Sequence, residues 1–96
     1  MRKYEIMVII SPDVDDRQVE PLVSKYLKVI TDGKGTVDST DFWGRRKLAY
    51  PINKKSEGTY VVVNVTCEPA VVQEMDRLLT IEEQVMRTKV MRTDAK

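Results

Sequence analysis

The sequence predicts a small α+β domain whose strands and helices follow one another in the order β-α-β-β-α-β. Segments rich in β-branched and aromatic residues alternate with stretches whose apolar residues recur every three or four positions. The chain has 96 residues, of which 42% are hydrophobic and 32% charged, which suits one globular core. We therefore expect a single domain over residues 1–96, with a short flexible tail from about residue 93.

The first strand is predicted over residues 3–10 and is apolar on both faces. One face is apolar throughout, and on the other only Lys3 and Glu5 are charged, at its start. Such a strand belongs in the middle of a sheet. A helix should follow from about Asp15 to Asp32, because one apolar stripe has helical spacing. The stripe consists of Val19, Leu22, Val23, Tyr26, Leu27 and Ile30.

The second strand is predicted over residues 36–52, with a bend or bulge at Gly44. Pro51 cannot donate a hydrogen bond to a neighbouring strand, so this strand should lie at an edge. A polar turn from Asn53 to Gly58 should close a hairpin. The antiparallel strand from Thr59 to Thr66 comes next.

A second helix should open at Glu68 and Pro69, and a last strand should cover about Gln84 to Arg92. The helix has one apolar stripe, formed by Val72, Met75, Leu78 and Leu79. Alternation in the last strand predicts one face with Val85, Arg87, Lys89 and Met91. The opposite face would then carry Met86, Thr88 and Val90.

Right-handed crossovers let two βαβ halves of this kind interleave into one four-stranded antiparallel sheet. Both helices then lie on one face, and the second and fourth strands form the edges. This is the ferredoxin-like arrangement. Because it hosts many unrelated activities, function has to be argued from particular residues.

The composition argues against an enzyme. The chain has no histidine and one cysteine, Cys67, so histidine-based catalysis and zinc or iron–sulfur sites are not expected. Its four glycines form no phosphate-binding motif. We expect no cofactor, no metal, no small-molecule substrate and no membrane span, and a single cysteine favours a reducing compartment such as the cytoplasm.

Positive charge is concentrated in two segments, although the formal net charge is only +1. Within residues 42–58 the basic side chains are Arg45, Arg46, Lys47, Lys54 and Lys55, against the single acid Glu57. Within residues 85–96 they are Arg87, Lys89, Arg92 and Lys96, against Asp94. A bound polyanion would use these segments.

The decapeptide from Gly44 to Asn53, GRRKLAYPIN, closely resembles the signature of the ribosomal protein S6 family of the bacterial small subunit. Further resemblances are dispersed along the chain. They are the N-terminal Met1–Glu5, Pro12 after the first strand, Gly58–Tyr60 and Val85–Arg87. Together they cover essentially the whole chain in register.

This resemblance implies a non-enzymatic protein of the cytoplasmic ribosome. Members of the family bind the central domain of 16S ribosomal RNA and pair there with ribosomal protein S18, and their fold is the ferredoxin-like sheet. The near-neutral charge of this chain fits a protein that depends on its partner for much of its hold on RNA.

Candidate RNA-binding residues are the basic side chains of the sheet. They are Arg2, Lys3, Arg45, Arg46, Lys47, Arg87, Lys89 and Arg92. If the first and last strands are neighbours, Arg2, Arg87 and Lys89 would form one patch. Aromatic residues near the predicted edge strand could anchor a protein partner, and these are Phe42, Trp43 and Tyr50.

Two other interpretations use the same fold. One is a protein–protein interaction or regulatory module that pairs through its sheet edges without binding RNA. The other is an acyl-phosphate hydrolase, which needs a phosphate-binding loop after the first strand. Residues 11–16 are acidic there and would repel phosphate, so the hydrolase is disfavoured.

Overall fold

The computed structural model describes residues 2–52 and 54–93. The predicted order of elements is confirmed. The bounds are β1 (Arg2–Ile10), α1 (Asp16–Asp32), β2 (Thr36–Ile52), β3 (Lys55–Cys67), α2 (Pro69–Thr80) and β4 (Val85–Arg92). The expected flexible tail from about residue 93 falls mostly on 94–96, outside the described residues, while the backbone N–H of Thr93 donates to the Lys3 carbonyl at 2.9 Å.

The four strands form one antiparallel sheet in the order β2-β3-β1-β4. β1 and β3 are central, and β2 and β4 are the edges, as the ferredoxin-like topology requires. The central position of β1 agrees with its composition, since a strand that is apolar on both faces is expected inside a sheet. Its helix-facing side is buried in the core, and on the other side Ile9 is buried and Met7 half-buried. The Pro51-containing strand β2 lies at an edge, which confirms that prediction.

Both helices begin where the sequence predicts. Asp15 is the N-cap of α1, and its carboxylate accepts a hydrogen bond from the Arg17 backbone N–H at 2.9 Å. α2 starts with Pro69, whose missing N–H is no loss in the first helical turn. Among the described residues, no helix is long and apolar enough to cross a membrane.

The core lies between the helices and one face of the sheet. It unites every second residue of β1 and β3 with the apolar stripes of both helices. The fully buried side chains are Ile6, Val8, Ile10, Ile30, Val61, Val63, Val65, Cys67 and Met75. Burial raises the pKa of the Cys67 thiol, so it remains protonated and serves as a small packing residue.

A β-bulge in β4 overturns one predicted face assignment. Ile9 pairs with Arg87 and Ile10 with Val85, so Met86 is an additional residue on the β4 side. The bulge moves Val85 onto the helix-facing side, where it joins the core, while Arg87 lies on the opposite face. The prediction that Val85 shares a face with Arg87 and Lys89 is therefore wrong.

The β2–β3 hairpin is longer than predicted. β3 begins at Lys55, whereas the sequence suggested a polar turn up to Gly58; Asn53 lies outside the described residues. The prediction is wrong because this part of β3 is polar and exposed, and so lacks the apolar alternation of a covered strand. The bend at Gly44 is confirmed: the register shifts between Phe42 and Gly44, and Gly44 has φ +81°.

Candidate nucleic-acid interface

The sheet face that lies away from the helices carries the candidate interface. Strand alternation places Met7 and Ile9 of β1 on this face, and cross-strand pairing places Lys89 opposite Met7 and Arg87 opposite Ile9. This face is therefore apolar in its centre and basic along β4. We call it the open face.

One end of the open face is covered by the last part of β2. Ile9 points away from the helices, yet it is only 8% exposed. Leu48, Tyr50 and Tyr60 enclose a small space around it, together with Arg87. Gly58 allows the backbone of β3 to pack closely against Ile9, since a Cβ at this position would lie 2.5 Å from Cγ2 of Ile9. The hairpin thus folds over the sheet and forms a wall.

An open groove of about 500 Å³ lies beside this wall. Its apolar residues are Met7 and Ile9, Tyr50 stands on one side, and Arg87 and Lys89 supply the positive charge. The Arg87 guanidinium donates a hydrogen bond to the Tyr50 hydroxyl and lies 5.9 Å from the centre of its ring. We call this the cationic groove.

The three consecutive basic residues of β2 point in different directions, as their strand positions predict. Arg45 lies opposite Thr59 and donates to the Pro12 carbonyl at 2.9 Å, which ties the hairpin to the β1–α1 loop. The Arg46 guanidinium lies 5.5 Å from the centre of the Trp43 ring. Lys47 is exposed opposite Glu57.

The remaining basic candidates lie at the other end of the sheet. Arg2 is opposite Cys67, and Arg92 is opposite Tyr4. Ile9, the partner of Arg87, lies seven positions beyond Arg2 along β1, roughly 23 Å at the usual rise per residue. Arg2 and Arg87 also lie on opposite faces of the sheet, because Arg2 pairs with the core residue Cys67 and Arg87 with Ile9 of the open face. The expected single patch of Arg2 with Arg87 and Lys89 is therefore wrong, and the basic residues form two separate groups.

The aromatic candidates for partner binding are exposed. Phe42 is 47% exposed, Trp43 46% and Tyr50 58%. Trp43 stacks on Tyr60 with the ring centres 6.2 Å apart and the planes inclined by 3°. Phe42 pairs with buried Val61, so it lies on the helix-facing side of the bend. The two neighbours therefore present aromatic surface on both sides of the β2 edge.

Comparison with known proteins identifies the family. A family model described as Ribosomal protein S6 matches residues 3–92. The chain is 69% identical over 94 residues to the small ribosomal subunit protein bS6 of Cutibacterium acnes, covering 98% of each chain. The chain belongs to the ribosomal protein S6 family. A second S6 relative, bS6 of Micrococcus luteus, is 58% identical over 94 residues, which cover 98% of this chain and 93% of the relative.

Solved structures agree with this assignment. The crystal structure of the 30S ribosomal protein S6 from Thermotoga maritima has a TM-score of 0.88 at 35% identity, covering 95% of this chain and 86% of that one. The C-terminal domain of the MgtC protein from Mycobacterium tuberculosis has a TM-score of 0.64 at 13% identity and shares the fold alone. It covers 98% of this chain and 89% of that domain.

As a member of the S6 family, the protein is a structural, non-enzymatic component of the small subunit of the cytoplasmic ribosome, associated with ribosomal RNA. The expected fold, family and absence of enzymatic activity are thereby confirmed. Sequence reasoning missed Met7 and Ile9 as groove residues. They could have been recognised from the sequence, because Met7 and Ile9 are apolar residues on the face of β1 that the predicted helices do not cover.

Proposed function

We propose that the protein binds the central domain of 16S ribosomal RNA as a heterodimer with ribosomal protein S18. Membership of the S6 family supports a role in the small subunit. The observation that carries the RNA part is the cationic groove, which combines two basic side chains with an apolar floor and an aromatic wall.

In the groove, Arg87 and Lys89 bind phosphates, and each phosphate contact releases condensed counterions. Met7, Ile9 and the Tyr50 ring offer a surface on which an unstacked base of single-stranded RNA packs. Arg87 already donates to Tyr50, so its guanidinium is oriented before RNA arrives. A preoriented side chain loses less conformational entropy on binding.

The other basic candidates serve two different purposes in this proposal. Arg2 and Arg92 share the helix-facing side at the far end of the sheet and form a second phosphate contact there, and Lys3 adds a charge on the open face. Arg46 extends the first contact along the hairpin, and Lys47 adds a charge on the other side of β2. Arg45 mainly positions the hairpin through its bond to the Pro12 carbonyl. Two separated contacts fix an orientation on RNA that one contact leaves free.

The partner protein docks at the β2 edge. An edge strand offers unpaired backbone groups, and aromatic side chains commonly anchor protein interfaces. Phe42 and Trp43 supply such anchors on the two sides of this edge. Tyr50 extends the aromatic surface to the open face. A partner bound there leaves the β4 side of the cationic groove accessible to RNA.

The test is a titration with a central-domain 16S RNA fragment, with and without S18, at two salt concentrations. We expect salt-sensitive binding that S18 strengthens, with the free energy of coupling about 1–3 kcal/mol. Absence of binding in both conditions, with RNA and S18 shown to be competent, would refute the proposal. Light scattering then tests the interaction-module alternative, which requires a homodimer.

A further inference from the structure

The wall of the cationic groove is a bulged segment of β2. Residues 48–51 lie opposite the single residue Ser56 of β3, because the pairing register shifts there. Three of these four residues are exposed and Leu48 is half-buried. The segment includes Tyr50, whose hydroxyl accepts a hydrogen bond from Arg87. A bulge lacks the regular ladder of backbone hydrogen bonds that fixes a strand, so its position over the sheet depends on side-chain contacts.

Two side-chain contacts, which we call the loop ties, connect the two ends of this bulge to the loop between β1 and α1. Arg45, three positions before the bulge, donates to the Pro12 carbonyl at 2.9 Å. Lys55, which pairs with Ile52 immediately after the bulge, forms an ion pair with Asp13. Each end of the bulge is therefore fixed by one loop tie.

The loop between β1 and α1 is itself held in place. The Ser11 backbone N–H donates to the Gln84 carbonyl at 2.8 Å, and the Ser11 hydroxyl accepts from the backbone N–H of Asp13 at 3.2 Å. Val14 is buried in the core, and Asp15 is the N-cap of α1. Because the backbone is fixed on both sides of Asp13, a side chain tied to its carboxylate loses freedom of movement.

The loop ties do not compete with a ligand of the cationic groove. Arg45 pairs with Thr59, which pairs with the core residue Ile10, so Arg45 lies on the helix-facing side of the sheet. No residue of the loop ties lines the groove on the open face, whereas Tyr50 does. A ligand can therefore occupy the groove while both loop ties remain formed.

We infer that Asp13, through its ion pair with Lys55, positions Tyr50 as the wall of the cationic groove. The inference rests on the proposed RNA-binding function, and it gives an acidic residue a role opposite to its charge. A negative charge near a polyanion weakens binding by repulsion. A contact that keeps the site formed strengthens binding, since the apparent affinity scales with the fraction of molecules whose site is formed. The sign of the change on neutralising Asp13 distinguishes these two effects.

The first experiment measures the mobility of the bulge in the free protein. Amide nitrogen relaxation and relaxation dispersion report its motion on the ps–ns and μs–ms timescales. We expect Ala49 and Tyr50 to become more mobile in Asp13→Asn and to regain their rigidity in Asp13→Glu, which keeps the carboxylate. Ile6 in the centre of the sheet should stay rigid in both variants. If neither measurement changes at Ala49 and Tyr50 in Asp13→Asn, the inference is wrong.

The second experiment measures the RNA affinity of the S18 complex by fluorescence anisotropy. Asp13→Asn removes a negative charge, yet we expect it to weaken binding about two- to fivefold, within what the loss of an exposed ion pair allows. The slope of log K against log salt should stay essentially unchanged, because no phosphate contact is lost. The matched control Glu83→Gln removes the same charge from another exposed acid and should not weaken binding. If Asp13→Asn binds RNA as tightly as the wild type or more tightly, Asp13 does not support the groove.

A double-mutant cycle tests whether Asp13 acts through Tyr50. In a Tyr50→Ala background the groove has no wall to position, so adding Asp13→Asn should not weaken binding further. If the two losses add, Asp13 acts elsewhere and the inference is wrong.

The experiments also separate the inference from the proposed function. If the wild-type protein with S18 does not bind the RNA, the proposed function fails, and the relaxation measurements decide whether Asp13 holds the bulge. If Asp13→Asn mobilises the bulge but keeps the wild-type RNA affinity, the bulge is no part of the RNA site. In that case the inference is refuted and the heterodimer stands.

Discussion

Replacing Arg87 and Lys89 together by alanine should reduce the salt dependence of RNA binding. Both side chains lie on the open face and line the cationic groove. Each phosphate that a protein neutralises contributes about 0.7–0.9 to the slope of log K against log salt. Two contacts therefore account for a slope change of about 1.4–1.8.

The slope change can also be measured as the ratio of wild-type to variant affinity at two salt concentrations. Between about 0.05 and 0.2 M salt, the affinity difference between wild type and the double variant should narrow roughly tenfold. Fluorescence anisotropy with a labelled central-domain RNA, at four or more salt concentrations in the presence of S18, measures it. Binding should weaken for all RNA sequences alike, because phosphate contacts carry no sequence information.

The control is Lys25→Ala with Lys28→Ala, which removes the same charge from the exposed side of α1. Lys25 lies 5.4 Å from the Tyr26 ring centre, on the helix layer rather than the open face. We expect its slope to equal that of the wild type. If the Arg87/Lys89 variant keeps the wild-type slope, or if both double variants lose the same amount, the groove does not bind phosphate.

Three further predictions concern stability. Gly58→Ala should cost about 1–3 kcal/mol, because its Cβ would lie 2.5 Å from Cγ2 of buried Ile9. Gly44→Ala should cost about 1–2 kcal/mol through its φ of +81° alone, since nothing lies within 4 Å of its Cβ. Burial of the Tyr26 hydroxyl, and secondarily the nearby Glu82, raises the pKa of Tyr26 in the folded protein. As the pH rises above about 10, the tyrosine therefore ionises first in the unfolded state, and the free energy of unfolding should fall.

Urea unfolding measures the free energy of unfolding of the two glycine variants. The control is Ala49→Gly, which removes a methyl group from an exposed position of β2 in the same hairpin. A Gly58→Ala protein as stable as the wild type would mean that Ile9 is not held under the hairpin. In Tyr26→Phe, the free energy of unfolding should fall less steeply as the pH rises above about 10. If it falls as steeply as in the wild type, other groups cause the loss of stability at alkaline pH.

The β4 strand shows where sequence reasoning stops. Its existence and its basic residues were predictable from alternation, but the face of Val85 was not. Strict alternation assumes an unbroken pairing register, and the bulge at Met86 breaks it. The bulge puts Val85 in the core and leaves Arg87 and Lys89 on the open face. No local propensity of Met86 signals this, because the partner strand determines it.

The hairpin shows the same limit for the candidate site. Its basic and aromatic residues were predicted by charge and composition, and their exposure agrees with those expectations. That Tyr50 reaches Arg87 was not predictable, since the two residues are 37 positions apart and meet only because β2 folds over the open face. By contrast, Asp16 and Glu20 are neighbours through the spacing of α1 alone, and only their place near Phe42 of β2 depends on tertiary packing.

By itself, the sequence determined the order of elements, the central place of β1, the edge position of β2 and the family. These follow from local periodicity, from a proline that cannot donate, and from a contiguous signature, all of which act over a few residues. Tertiary structure alone decided which charges meet. Antiparallel pairing separates Arg2 from Arg87 by roughly 23 Å. The close approach of the hairpin to Ile9 brings Tyr50 to Arg87. The physical reason is that register and bulges depend on contacts between strands distant in the chain, and such contacts have no local pattern.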